Sequence, residues 1–136
     1  MSDRITEAQI RALVFSFYGA IREDPTLGPV FEARLSGRWE PHLEKMCDFW
    51  SSVLLASRRF TGNPAAAHVG LPGLQPEHFD RWLDLFHRTA TALLPPHVAA
   101  DVVGRAQRMR IPLERAAFPG AHEHEWGAPR SRVGTP

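Results

Sequence analysis

The sequence has one cysteine, one tyrosine, no run of 18 apolar residues and almost no excess of charge. Each scarcity closes off a class of function. The lone Cys47 has no partner for an internal disulfide, and beside Met46 in a helical pattern it reads as a small buried or half-buried thiol rather than a nucleophile. Sixteen Lys and Arg against fifteen Asp and Glu leave a formal net charge of +1, so no general field draws the chain to nucleic acid or to a membrane. With no apolar segment behind Met1-Ser2-Asp3-Arg4 and no spanning run, neither a leader nor a membrane helix is expected, and the location expected is the cytoplasm. No stretch alternates with the period of a strand, and no repeat occurs within residues 1 to 118. Neither His-Glu-x-x-His nor paired cysteines is present, which leaves a metalloenzyme built on clustered Asp, Glu and His without its ligand spacing.

What the chain does have is amphipathic helix. At 136 residues it is long enough for one core and too short for two. Thr6-Glu7-Ala8-Gln9 reads as a capping box, and Ile10, Leu13, Val14, Phe17 and Ile21 follow at helical spacing, giving a first helix of roughly 16 residues. Tyr18 shares its buried face, so its hydroxyl needs something polar. Asp24-Pro25 and Gly28-Pro29 then predict turns, with Val30 and Phe31 as a short apolar plug. Pro41 fits the first turn of a second helix that ends near Arg58-Arg59. Pro76 opens a third, with Phe79, Trp82, Leu83, Phe86, Ala90 and Leu93 on one face until Pro95-Pro96. Ala99, Val102, Ala106, Met109, Leu113 and Ala116 mark a fourth, which Pro112 should kink or locally unwind. From Gly120 on there is little to bury, and residues 119–136 read as a disordered tail. Its His122-Glu123-His124 reads as solvated rather than as a metal site.

The stretch from Glu40 to Pro72 carries the chemistry. From His42, the positions Met46, Phe49, Trp50, Val53 and Leu54 lie at offsets of four, seven, eight, eleven and twelve, one wide face of a helix with very large side chains. A second histidine, His68, returns on the segment Phe60 to Gln75, which is rich in Gly and Pro. A loop of that length in so small a domain is uncommon unless something functional or bound orders it. An aromatic helix face opposed by a loop histidine suits a flat, apolar, iron-bearing ligand with an imidazole on each side. The plainer alternative is an ordinary aromatic core helix with a histidine at its end.

Taken in order, Phe17-Tyr18, Phe31, His42 with Phe49-Trp50, Ala67-His68-Val69-Gly70-Leu71-Pro72, Phe79-Asp80-Arg81-Trp82-Leu83-Asp84-Leu85-Phe86 and Arg105-Ala106-Gln107-Arg108 resemble the truncated haemoglobins, specifically group III of that family. The resemblance covers about residues 8 to 118 and leaves the tail outside. It implies an all-α, two-over-two helical sandwich around a b-type haem, the first and second helices packed against the third and fourth. It also implies that His68 is the proximal ligand of the iron and that Tyr18, His42 and Trp82 are the polar residues of the distal pocket. Met46 matches the apolar residue over the iron, Phe31 the aromatic at the haem edge, and Phe49, Trp50, Leu71 and Trp82 line the slot. The residues themselves favour the same ligand, since Val69, Leu71 and Pro72 shield an iron better than the charged Glu44-Lys45 beside His42. His78 competes for that role but lies one residue before the apolar face of its helix, so it reads as a surface histidine, like His87 and His97.

Donors such as the Tyr18 O–H and the Trp82 indole N–H would grip a partly negative ligand tightly. That suits redox chemistry with dioxygen, nitric oxide or peroxide better than oxygen transport. The activities expected from the resemblance are nitric oxide oxidation and peroxide activation, with His42 as proton acceptor; carbon monoxide would bind too, and a separate reductase would return the iron to its ferrous form. A haem-based sensor without turnover is the alternative within the family. A haemless helical interaction protein would carry the same stripes but would not need the loop bearing His68.

Overall fold

A computed structural model describes residues 4–62, 64 and 74–118. Within them the chain forms five helices: α1 (Glu7–Glu23), α2 (Leu27–Leu35), α3 (Trp39–Leu55), α4 (Pro76–Leu93) and α5 (Pro96–Ala117). The fold is all-α, and among the described residues no helix is long and apolar enough to cross a membrane. His68 and Leu71, the residues around them, and the expected tail at 119–136 lie outside the described residues.

The capping box read from Thr6 is present: Gln9 N–H donates to Thr6 Oγ1 at 3.1 Å and Thr6 N–H to Gln9 Oε1 at 2.9 Å. It satisfies two amide donors that a helix start leaves over. From that end, α1 lays Ile10, Leu13, Val14, Phe17, Tyr18 and Ile21 into the core. α1 packs on α2, α3 and α4, while α4 pairs with α5. This is the expected sandwich, α1 and α3 against α4 and α5, with α2 added.

α2 corrects the expectation of turns around Val30 and Phe31. Its start is capped from three residues upstream, where the buried Asp24 accepts through Oδ2 from the Thr26 and Leu27 amides at 3.0 and 2.8 Å. Pro29 falls in the first turn, where its missing N–H removes no helical bond. The Asp24 Oδ1 receives Arg81 of α4 through Nε and Nη2 at 2.9 and 2.6 Å, so one carboxylate fixes the α1–α2 corner to α4. Gly28 permits the close approach there, since a Cβ at that position would lie 2.9 Å from the Arg22 carbonyl oxygen.

α3 starts two residues before Pro41 and ends at Leu55, short of the expected Arg58-Arg59. The stop comes from Ala56, whose φ of 57° is left-handed. Arg59 then ties the departing chain back, reaching Glu7 at 3.0 Å and Asp48 at 3.0 Å, and the fully buried Ser51 hydroxyl donates to Glu7 at 2.7 Å. α5 runs without interruption past Pro112, where the expected local unwinding is not seen. Cys47 is buried in the core, as its place in the pattern suggested.

An aromatic column crosses the interior. Trp82 stacks on Phe86 at 5.5 Å and 5°, Phe86 stacks on Trp50 at 5.2 Å and 18°, and Phe17 meets both Trp82 and Phe86 edge-on. Such pairs add roughly 0.5–1.5 kcal/mol each beyond the area they bury. Two members of the column, Trp50 and Trp82, also line the cavity described next.

Candidate functional site

All five helices border a mostly apolar cavity of about 290 Å³, close to the lower end of the usual range for small-molecule sites. α1 gives Tyr18; α2 gives Val30, Phe31 and Arg34; α3 gives His42, Lys45, Met46, Phe49 and Trp50. Phe60 follows from the segment after α3, α4 adds His78 and Trp82, and α5 adds Met109, Arg110 and Leu113. Every described residue expected at the site from the sequence, from Tyr18 and Phe31 through the α3 stripe to Trp82, is brought to this one cavity. Helical spacing does this locally, since His42, Met46, Phe49 and Trp50 share one face of α3.

Sequence reasoning missed part of the lining. Lys45 and Glu44, read from the sequence only as charges beside His42, part company: Glu44 pairs with Arg11, with oxygens at 3.0 and 2.6 Å, while Lys45, three residues after His42, shares the cavity face. Phe60, packed edge-on against Phe49 at 5.1 Å, sits on an irregular segment that no period could place. Arg110 is held by Asp80 at 2.6 Å and Glu114 at 3.0 Å; its four-residue spacing to Glu114 is a local signal, but nothing in the sequence placed it at the site.

His78 also departs from expectation. It is half-buried and lines the cavity, whereas His87 and His97 are exposed as expected. Its Nδ1 accepts the Gln75 backbone N–H at 2.8 Å. A neutral imidazole that accepts through Nδ1 carries its proton on Nε2 and has no lone pair left to give a metal.

The electrostatics have one sign. Among the described residues lining the cavity there is no Asp or Glu, while Arg34, Lys45 and Arg110 all border it. His42 lies inside, with Nε2 buried and without a hydrogen-bond partner among the described residues. Burial, helped by the Lys45 charge, pulls its imidazole down to about 4, so it is neutral at pH 7. Burial pushes the Tyr18 phenol well above its ordinary range, so that hydroxyl keeps its proton. Among the described residues no group of three His, Cys, Asp or Glu is placed to hold a metal ion.

A helical sandwich around a mostly apolar cavity, with no Asp or Glu among its described lining residues and a half-buried histidine at one wall, defines an all-α protein with an apolar pocket between its helices. No protein-family model matches the sequence. The chain is 30% identical to the group 3 truncated hemoglobin of Campylobacter jejuni over 108 residues, 77% of this chain and 85% of that protein. It also superposes on the crystal structure of a group III truncated hemoglobin from Campylobacter jejuni with a TM-score of 0.76 at 26% identity, covering 93% of this chain and 98% of that one. The chain belongs to the group III truncated haemoglobins.

Proposed function

We propose that the chain binds one b-type haem in this cavity, with His68 as the axial ligand of the iron, and uses it for redox chemistry on dioxygen, nitric oxide or peroxide more than for oxygen transport. The observation that carries the reading is the composition of the lining: a large aromatic and aliphatic surface bordered by Arg34, Lys45 and an Arg110 already paired with Asp80 and Glu114, and with no acidic residue among the described lining. A porphyrin carrying two carboxylates has the complementary character, a flat apolar body with negative charge at one edge. The buried Nε2 of His42 adds a polar atom that a ligand inside the cavity would satisfy.

Phe31, Met46, Phe49, Trp50, Leu71 and Trp82 would hold the ring. The choice of His68 is supported by the apolar residues beside it in sequence and by the described alternatives: His78 has its lone pair engaged at Nδ1, and His87 and His97 are exposed. A bound haem supplies an iron centre that takes small ligands and exchanges electrons.

The chain's own residues supply the protons. Tyr18 keeps its O–H and can donate it, and the Trp82 indole offers one N–H and accepts nothing. A hydrogen bond to a charged acceptor contributes about 1.5–3 kcal/mol, so two donors would slow the release of a partly negative ligand by roughly a hundredfold or more. A grip of that strength supports redox use. His42, neutral at pH 7 and in edge-to-face contact with Tyr18, would accept a proton from a peroxide or pass one to solvent. Electrons would come from an unidentified reductase.

The reading is tested by titrating the purified chain with hemin. It requires saturation at one haem per chain, with a Soret band and a raised melting temperature. A chain that gives no Soret band with hemin refutes it.

A further inference from the structure

We infer that His78 is a haem-carboxylate donor, giving its Nε2–H to a propionate at the edge of the cavity. The inference rests on the haem reading above and deepens it. Its basis is the way His78 is held. The imidazole belongs to the first turn of α4, and there the Gln75 backbone N–H donates to Nδ1 at 2.8 Å, while the His78 amide donates back to the Gln75 carbonyl at 2.9 Å. The ring is therefore fixed at the edge nearest its own backbone, and the proton must sit on Nε2, across the ring. That nitrogen belongs to a half-buried residue that lines the cavity.

The surroundings select what such a donor meets. With no described Asp or Glu in the lining, an acceptor for Nε2–H from the protein side of the cavity is not supplied by a carboxylate. Arg110, one of the cationic residues in the same lining, is already engaged by Asp80 and Glu114, as a clasp between α4 and α5. A ligand carboxylate is the acceptor that fits. The same lock that makes His78 a donor removes it from competition for the iron, so the histidine within the Gly/Pro segment and the one just after it divide their work: His68 on the metal and His78 on the carboxylate edge of the haem. Donation to a charged acceptor is the stronger kind of hydrogen bond, and its loss should be visible in how fast haem leaves.

Two substitutions keep the local cap and separate it from the donor. A Gln or Glu in the third position of a helix accepts from the cap residue's backbone N–H, so both His78→Gln and His78→Glu preserve the start of α4. Gln keeps an N–H donor at the cavity, whereas Glu replaces it with a second carboxylate. Each full-length chain is loaded either with hemin or with hemin dimethyl ester, whose propionates cannot accept as anions, and the rate of transfer to a haem-scavenging apoprotein is followed at the Soret band. The expected result is that His78→Glu loses hemin roughly tenfold faster than the parent or more, His78→Gln stays close to the parent, and all three lose the dimethyl ester at similar rates. Equal hemin loss by the parent and His78→Glu overturns the assignment, and so does a difference that persists with the ester. A parent chain that takes up neither form refutes the haem reading itself, which keeps the two failures apart.

Discussion

The rings of Tyr18 and His42 meet edge to face, with centroids 5.1 Å apart and planes at 88°. One comes from the middle of α1 and the other from the first turn of α3, and Phe17 and Phe31 hold the tyrosine from its other sides at 5.0 and 6.0 Å. Burial acts on the two groups in opposite directions, raising the phenol and lowering the imidazole. At pH 7 both are therefore uncharged, the tyrosine a proton donor and the histidine a proton acceptor.

If Tyr18 and Trp82 both donate to a partly negative ligand, Tyr18→Phe and Trp82→Phe should each speed oxygen dissociation by roughly ten- to a hundredfold. Carbon monoxide, which carries less negative charge when bound, should be little affected. The two effects should not add, because both donors serve one acceptor and the remaining one can reorient. Stopped-flow measurement of a double-mutant cycle gives the coupling, and parent-like oxygen release in both single variants would leave the pocket without its redox rationale.

The titration of His42 sets a pH dependence for the chain before haem is added. Its imidazole is lowered from the ordinary 6.5 to about 4, so between those values the unfolded chain binds the proton and the folded chain resists it. Stability therefore rises with pH across that window: it is complete above 6.5 and lost as the pH falls through about 4. The lowered carboxyl of Asp24, bonded first by Arg81 and then by the Leu27 and Thr26 amides, adds stability of the same sign at lower pH, present above its unfolded value near 3.8 and lost as pH falls through the folded value. Thermal unfolding from pH 7.5 to 4 should show the first fall, and His42→Leu should flatten it.

The α1–α2 corner should be among the places most sensitive to a single polar substitution. Asp24 has only 3% of its side chain exposed and satisfies Arg81 and two amides at once. Asp24→Ala should cost roughly 2–3 kcal/mol, a fall in melting temperature of about 10 °C for a domain of this size. Asp84→Ala, which removes exposed ion pairs to Arg81 and Arg88, should cost well under 1 kcal/mol.

How much of this was legible beforehand follows the range of the interactions. The start of α1 was readable because Thr6 and Gln9 cap each other over three residues, and the α3 stripe of His42, Met46, Phe49 and Trp50 was readable because its period is its packing. α2 was not, because its first turn depends on a carboxylate three residues before the helix that is itself held by Arg81, 57 positions away. The same limit hid the cavity's polar edge. Lys45 reads only as a charge beside His42 and His78 as a surface histidine, and only the three-dimensional arrangement shows that both line one space. Pro112 was expected to disturb α5, and the helix nonetheless runs through it; the packed Leu113 and the i to i+4 pair of Arg110 with Glu114 support that turn.

The measurement that reaches the central claim most directly is the ferrous absorption spectrum of His68→Ala and His42→Ala beside the parent, each with and without imidazole. A haem held as proposed predicts that His68→Ala loses the five-coordinate histidine-ligated spectrum and regains it when imidazole is added, while His42→Ala keeps it throughout. Loss of that spectrum in His42→Ala, with His68→Ala unchanged, would contradict the assignment and put the iron's protein ligand on α3.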